Sequence, residues 1–431
     1  MAPEHILEVE NLTVDFPETQ AVKGISFAVK KGKTLGIVGE SGSGKSVTAL
    51  SIMRLISAPG RISAGEVRYR TKEGNEVDLR DLAEPELRRI RGNEIAMIFQ
   101  EPMTSLNPVY TCGFQVMESL RLHLGMNKQE AKERTLQLFQ RVELPRPEKM
   151  LKAYPHEISG GQKQRVMIAM AMSCKPGILI ADEPTTALDV TVQANILDLM
   201  RQLQEEEEAA IMFISHDLGV IAELADEVLV MYRGEIVEQG PVLDIFANPQ
   251  HPYTRGLLAC RPPINRKLHR LPTIADFLEN EKNGRHSQKN ETEKEIKIDG
   301  EPILKVEGLK TWFPLRSGFF RKEKRFVKAV DDVNFSVNKG ETLGLVGESG
   351  CGKTTLGRSL LRLIEPTEGK VSFDGIDLGS LDDDAMRAIR KDLQIIFQDP
   401  YSALNPRIPV GKAIVEPMLV HGLYGDDATR K

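Results

Sequence analysis

The sequence predicts an α/β fold organised on a parallel sheet, with the opening part of that fold written twice. Three observations predict it. A short apolar run, Thr34-Leu35-Gly36-Ile37-Val38, enters a glycine-rich turn, Gly39-Glu40-Ser41-Gly42-Ser43-Gly44-Lys45-Ser46, and an apolar-periodic run follows from Val47 to Ile56. That order reads as buried strand, tight turn and helix N-terminus. Further short apolar runs, at Glu94 to Gln100, Ile178 to Pro184 and Ala210 to Ile214, alternate with helix-like stretches, as parallel strands require. Finally, Thr342 to Val346 leads into Gly347-Glu348-Ser349-Gly350-Cys351-Gly352-Lys353-Thr354, which repeats the first turn almost letter for letter.

Taken in order, Ile6 to Phe16 alternates as a half-buried strand, and Ala21 to Val29 reads as a second, ended by a turn at Lys31-Gly32-Lys33. Gly65 to Tyr69 reads as a short strand of a subsidiary sheet, and Leu79 to Arg91 as a charged helix. Asn107-Pro108 marks a turn, and Val116 to Gln140 carries a helical apolar stripe. Ser159 followed by Gly160, Gly161 and Gln162 reads as the capped start of a helix reaching Met172. Val192 to Gln204 is helical, with Glu205 to Glu208 as a solvated run beyond it. Asp226 to Tyr232 and Glu235 to Glu238 form a hairpin about Arg233-Gly234. Prolines then accumulate, and Glu279 to Gly300 is almost wholly polar, the composition of a linker. Beyond it Ala329 to Phe335 matches Ala21 to Phe27, Ile395 to Gln398 matches Ala96 to Gln100, and Leu404 to Pro406 matches Leu106 to Pro108. The second domain therefore starts as a copy of the first. Within residue 431 the copy reaches its turn and glutamine and is expected to be incomplete. The basic cluster from Arg316 to Arg325 reads as a solvated loop.

The chemistry concentrates at strand ends. Glycines at 39, 42 and 44 free the backbone N–H groups of the turn to face an anion, Lys45 reaches the β- and γ-phosphates, and Ser46 holds Mg²⁺. Asp182 and Glu183 close an apolar strand, where paired carboxylates are costly unless a metal or proton transfer retains them. Gln100 ends an apolar strand, where polar residues of an α/β sheet often point into the ligand crevice, and His216 ends another, where it reads first as a core-edge histidine and second as a catalytic one. Phe16 could stack on a base or simply fill the core. The Ser159 helix start is a second anion seat or a plain capped helix.

Composition narrows the classes. The formal net charge is -5, which gives no support to nucleic-acid binding. No run approaches the length of a membrane span, and Met-Ala-Pro-Glu-His lacks the start of a signal peptide, so a cytoplasmic location is expected. Cys112, Cys174, Cys260 and Cys351 lack CxxC spacing and read as buried free thiols.

GESGSGKS, Gln100, ISGGQKQRV, ILIADEP, the loop Thr186-Ala187-Leu188-Asp189 and His216 occur in the order of an ATP-binding cassette, which the first domain closely resembles. The resemblance implies a P-loop ATPase core with an antiparallel β subdomain and a helical subdomain at about 101–172. It divides the chain into a complete cassette at 1–265, a linker at 266–300 and the first part of a second cassette at 301–431. It implies ATP and Mg²⁺ as cofactors, with Ser46, Gln100, Asp182 and Thr354 on the metal side. Glu183, His216 and Gln100 would be catalytic, Asp189 would contact a paired cassette, and Ser159 to Gln162 would complete the opposite nucleotide site. Gly347, Gly350, Gly352, Lys353, Thr354 and Gln398 would serve the second copy. Full activity is then expected only when a second cassette, from the same or a separate chain, supplies what the copy lacks.

Gln100-Glu101-Pro102, Ser105 to Pro108 and His251-Pro252-Tyr253-Thr254 with Gly256-Leu257-Leu258 resemble importers of dipeptides, oligopeptides and nickel. That likeness implies a peripheral ATPase on the cytoplasmic face of the cell membrane, working with permease subunits and an external solute-binding protein. Nickel or another small solute, and a non-transport ATPase or nucleotide sensor, stay open as alternatives. Relatives with a cysteine-rich segment after the Pro-Tyr-Thr stretch hold an iron–sulfur cluster; with only Cys260 nearby, none is expected here.

Overall fold

The computed structural model describes residues 1–2, 4–100, 105–186, 188–260, 273–283, 301–314, 326–348, 350–398, 403–423 and 425. The chain divides into two units, Met1–Lys294 and Glu295–Lys431. The first opens with β1 (His5–Phe16), β2 (Thr19–Lys30), β3 (Thr34–Val38) and α1 (Lys45–Ile52). Next come β4 (Arg61–Arg70), β5 (Glu76–Asp78), α2 (Glu84–Ile90) and β6 (Ile95–Ile98). A helical stretch contains α3 (Cys112–Leu124), α4 (Lys128–Arg141), α5 (Pro147–Met150) and α6 (Gly160–Met172). The unit ends with β7 (Ile178–Asp182), α7 (Val190–Glu207), β8 (Ala210–Ser215), α8 (Leu218–Leu224), β9 (Glu227–Tyr232), β10 (Glu235–Pro241), α9 (Val242–Ala247), α10 (Pro252–Ala259) and α11 (Ile274–Asn283).

Two sheets result. β2-β1-β4-β5 is antiparallel, and β10-β9-β3-β8-β7-β6 is parallel except for the β9–β10 hairpin. Because side chains alternate across a pleated strand, a strand buried on both faces must be apolar throughout. The central strands obey this residue by residue. Ile178, Ile180, Met212, Ile214, Leu229 and Met231 join the core shared with the antiparallel sheet. Their neighbours Leu179, Ala181, Ile211, Phe213, Val228 and Val230 join the core built with the helices. The sheet is therefore clamped between two apolar layers, which fixes its strand ends as a rigid platform.

Local chemistry shifts several expected boundaries. The helix after the glycine turn stops at Ile52, because Arg54 takes a left-handed φ of 48°. The charged stretch at 79–91 is helical only over α2. The expected long helix from Val116 splits in two: Gly125, at φ 65°, closes α3, and the Asn127 side chain accepts the N–H groups of Gln129 and Glu130 to start α4. The glutamate run at 205–208 is solvated as expected at Glu205, Glu206 and Glu208 but not at Glu207. α7 continues through Glu207, whose side chain is only 8% exposed and accepts from Arg141 Nη1 at 2.6 Å, with Lys175 Nζ at 2.9 Å. Of the cysteines, Cys112 and Cys174 are buried as expected, whereas Cys260 is half-buried and Cys351 exposed. The basic cluster at 316–325, residues 101–104, Ala187 and most of the expected linker lie outside the described residues.

The second unit holds β11 (Leu304–Pro314), β12 (Phe326–Val337), α12 (Lys353–Leu360), β13 (Glu368–Phe373), β14 (Ile376–Asp377), α13 (Asp383–Ile389) and α14 (Val410–Val420). Its sheet, β12-β11-β13-β14, repeats the order of the first antiparallel sheet, over a core of Val306, Leu309, Val330, Leu356, Val371, Leu378 and Met386. The runs at 342–346 and 395–398 are not strands here, contrary to their sequence pattern. In the first unit β3 is bonded to β8 and β9, and β6 to β7. The described residues of the second unit hold no strand in those places, so Val346 and Ile396 are 90% and 99% exposed.

Candidate active site

The site is assembled by the C-terminal ends of neighbouring parallel strands, where an α/β sheet leaves its ligand crevice. β3 runs straight into the glycine turn. Gly39 sits at φ 153°, and a Cβ there would stand 2.2 Å from the Met231 carbonyl oxygen, so no side chain fits. Gly42, at φ 80°, takes a backbone shape other residues rarely adopt, and its own Cβ direction is open. Lys45 starts α1 and is buried; its Nζ donates to the carbonyls of Gly39 at 2.7 Å and Glu40 at 2.8 Å. Burial pulls its pKa down, opposed by the charges of Glu183, Asp182 and Glu40.

Asp182 is the last residue of β7 and 3% exposed, and its Oδ1 accepts from the Ser46 hydroxyl at 3.1 Å. Burial raises its pKa and the nearby Glu183 adds to that, while the Ser46 hydrogen bond and Lys45 act in the other direction. β7 pairs in parallel with β8, with Asp182 opposite Ile214, so the residues just beyond each strand are adjacent. Glu183 accordingly donates its N–H to the Ile214 carbonyl at 3.0 Å, holding a left-handed φ of 47°. Such backbone strain in a non-glycine residue persists only where the surroundings enforce it. Its carboxylate accepts from the Thr186 hydroxyl at 3.0 Å and lies 3.2 Å from His216 Nδ1. Lys45, Ser46, Asp182, Glu183 and His216 thus form one cluster beside an open phosphate-shaped turn.

The remaining sequence candidates lie around it. Gln100 is two residues past β6, the strand next to β7, and is exposed on the same sheet edge. Phe16 ends β1; its ring lies over Gly60 and packs, partly buried, against the core. Ser159 caps α6, accepting from Gln162 N–H at 3.3 Å while Gln162 Oε1 accepts from Ser159 N–H at 3.1 Å. Gly161 is needed sterically, because a Cβ there would meet Val192 Cγ1 at 2.8 Å. Asp189 caps α7 through the Val192 N–H at 2.9 Å. In the second unit Lys353 folds onto the carbonyls of Gly347 and Glu348, as Lys45 does in the first, while Thr354 and Gln398 are exposed.

Two contacts escaped the sequence reading. Thr186 steadies Glu183, for which its place three residues on was the available signal. Tyr253 reaches the glycine turn from α10, and nothing short of the fold brings those residues together.

The donor set suits a magnesium-bound nucleoside triphosphate. A hydroxyl and a buried carboxylate are hard oxygen ligands, and Mg²⁺ takes one or two of these plus phosphate oxygens. Among the described residues no group of three or more His, Cys, Asp or Glu could hold a metal unaided. A phosphate turn and strand-end acids on a sheet with an attached helical stretch define a nucleotide-hydrolysing ATPase. The chain belongs to the ABC transporter family, whose sequence profile matches residues 22–186 and 330–428, and it is an ATP-binding, ATP-hydrolysing subunit that uses Mg²⁺. It lies in the peptide-importing branch: the oligopeptide/dipeptide transporter C-terminal region matches residues 237–286. Membership implies association with permease and substrate-binding components.

The chain is 50% identical over 429 residues to the glutathione import ATP-binding protein of Pectobacterium atrosepticum, covering 98% of this chain and 69% of that one. The protein of the same name from Escherichia coli O157:H7 is 49% identical, with 97% and 68% covered. A dimeric ATP-binding cassette solved with ADP and Pi matches at 29% identity and a TM-score of 0.48, over 55% of this chain and 98% of that one. No helix among the described residues is long and apolar enough to cross a membrane.

Proposed function

We propose that this chain powers the uptake of glutathione and other short peptides, seated on permease subunits at the cytoplasmic face of the cell membrane. In this reading the backbone N–H groups of the Gly39–Ser46 turn cradle the phosphates, and Lys45 swings from its carbonyls to the β- and γ-oxygens. Ser46, Asp182 and Gln100 would hold Mg²⁺, which supplies neutralisation of the charge on those oxygens when bound. Glu183 orients the attacking water and accepts its proton; His216, held against that carboxylate, keeps it aimed. Phe16 would shield the base, and Ser159 to Gln162 would close the nucleotide site of a paired cassette, with Asp189 at the joint. The second unit would bind nucleotide through Gly347, Gly350, Gly352, Lys353 and Thr354, with Gln398 at its metal side. The reading takes 1–265 as a cassette, 266–300 as linker and 301–431 as part of a second cassette.

The observation that carries it is the Glu183–His216 pair beside the Ser46–Asp182 contact, at the mouth of a phosphate turn. The peptide class rests on the matched segment at 237–286 and the names of the relatives. The test is reconstitution in vesicles with the neighbouring permease and solute-binding proteins, followed by ATP-dependent uptake of labelled glutathione, dipeptides and nickel. Uptake of glutathione or dipeptides, abolished without ATP, supports the reading. Uptake of nickel alone would replace the substrate.

A further inference from the structure

One feature of the first unit is used by none of these steps: the segment His251-Pro252-Tyr253-Thr254. Its parts have separate tasks. Glu238 on β10 accepts the N–H groups of Gln250 at 2.7 Å and His251 at 3.1 Å, which fixes where the chain enters α10. The His251 ring caps that helix by accepting the Tyr253 N–H at 3.2 Å, and Pro252 pre-sets its first turn. Tyr253 is thereby driven inward. It is fully buried, its ring stands 4.2 Å from that of Tyr232 at the end of β9, and its hydroxyl oxygen accepts the N–H of Glu40 at 2.8 Å. Burial pushes the phenol up to about 12, so the hydroxyl stays neutral at working pH.

The Glu40 N–H and the Gly39 carbonyl belong to one peptide group. Lys45 Nζ holds its carbonyl at 2.7 Å and Tyr253 holds its N–H at 2.8 Å. With no Cβ at Gly39 to restrict rotation, these two hydrogen bonds set the orientation of this peptide. When Lys45 transfers to phosphate, the carbonyl loses its lysine and the Tyr253 contact remains. The tie therefore matters more in the nucleotide-bound state than in the free one, and only such a difference changes affinity.

We infer that Tyr253 is a positioning residue for nucleotide binding: it locks the Gly39–Glu40 peptide while Lys45 leaves it for the phosphates. The inference rests on ATP binding at this turn. It also makes the 237–286 segment part of the nucleotide site's support, so a shift of α10 would be felt at the phosphates.

Tyr253→Phe removes the hydroxyl and keeps the ring contact; Tyr232→Phe removes a hydroxyl from the other ring of that tilted pair and serves as control. Mg-ATP and Mg-ADP affinity are measured by calorimetry, KM and kcat by phosphate release, and the thermal midpoint without nucleotide by scanning calorimetry. Loss of this partly buried hydrogen bond in the bound state is expected to weaken nucleotide binding about five- to twenty-fold. KM for ATP should rise alongside, with kcat at saturation within about threefold of the parent. The nucleotide-free midpoint should stay close to that of the control. An affinity within twofold of the parent, or a lowered midpoint with unchanged affinity, overturns the positioning role. If the parent itself shows no saturable Mg-ATP binding, the ATP reading falls and this inference with it.

Discussion

Glu183 Oε2 lies 3.2 Å from His216 Nδ1, and the two residues approach from the ends of adjacent parallel strands. The pairing joins a proton acceptor to the group that aims it, so removing the acceptor should affect turnover and spare binding. Glu183→Gln is expected to retain Mg-ATP affinity within about twofold and to lower hydrolysis at least about tenfold. Single-turnover phosphate release at saturating ATP measures it, and equal rates for variant and parent would dismiss Glu183 as the base.

Asp182 should leave a signature in pH. Its folded pKa lies above the ordinary 3.8, chiefly through burial. Between those two values the native chain binds more protons than the unfolded one, so stability without metal falls as pH rises through the window. Mg²⁺ requires the carboxylate, so metal-dependent ATP affinity should rise over the same window. Urea midpoints against pH, for parent and Asp182→Asn, read this directly; the variant should lose that component of the slope.

The two glycines at the start of α6 should respond differently to one methyl group. At Gly161 a Cβ would stand 2.8 Å from Val192 Cγ1, whereas at Gly160 the nearest atom is Leu188 Cδ2 at 4.0 Å. Gly161→Ala is expected to cost about 1–3 kcal/mol through overpacking. Gly160→Ala should be neutral or stabilising by about 0.4–1 kcal/mol, since it restricts the unfolded chain. Denaturant titration of both variants decides the matter, and equal losses would refute the packing argument.

Glu207 binds the end of α7 to α4 and to the residues after α6. Burial pushes its pKa up, but the hydrogen bonds and charges of Lys175 and Arg141 outweigh this and leave it below the ordinary 4.5. Its contribution is therefore fully present above that value and disappears as pH falls through the lowered one. Glu207→Gln should destabilise by about 1–3 kcal/mol at neutral pH, with the gap to the parent closing in acid. A gap independent of pH would show that charge is not its source.

The parallel sheet was legible because its pattern is local: short apolar runs such as Ile178 to Ala181 need only their own letters to declare burial. The same locality misled at Thr342 to Val346, where the letters of a strand are present and the described residues of the second unit hold no strand to bond them. Asp182 and Glu183 could be read as a site because a strand end is an expensive place for carboxylates. Glu207 was misread for the converse reason: four glutamates in a row look solvated, and Arg141 and Lys175 are distant in sequence. Tyr253 was visible as a letter in a motif, but its hydroxyl meets Glu40 only through the packing of α10 beside β9.

The second glycine turn gives a last consequence. Gly347, Gly350 and Gly352 take φ of 155°, 80° and 103°, against 153°, 80° and 103° at Gly39, Gly42 and Gly44, although no strand leads directly into them. The glycine backbone angles of the turn therefore recur where no strand leads directly into it. Chains emerge from synthesis N-terminus first, so the Gly39 turn is made before residues 210–232 bring the strands that flank β3. A nucleotide captured at that moment would favour the native turn by mass action. On this timetable the molecule that later serves as fuel meets the nascent protein first as a mould.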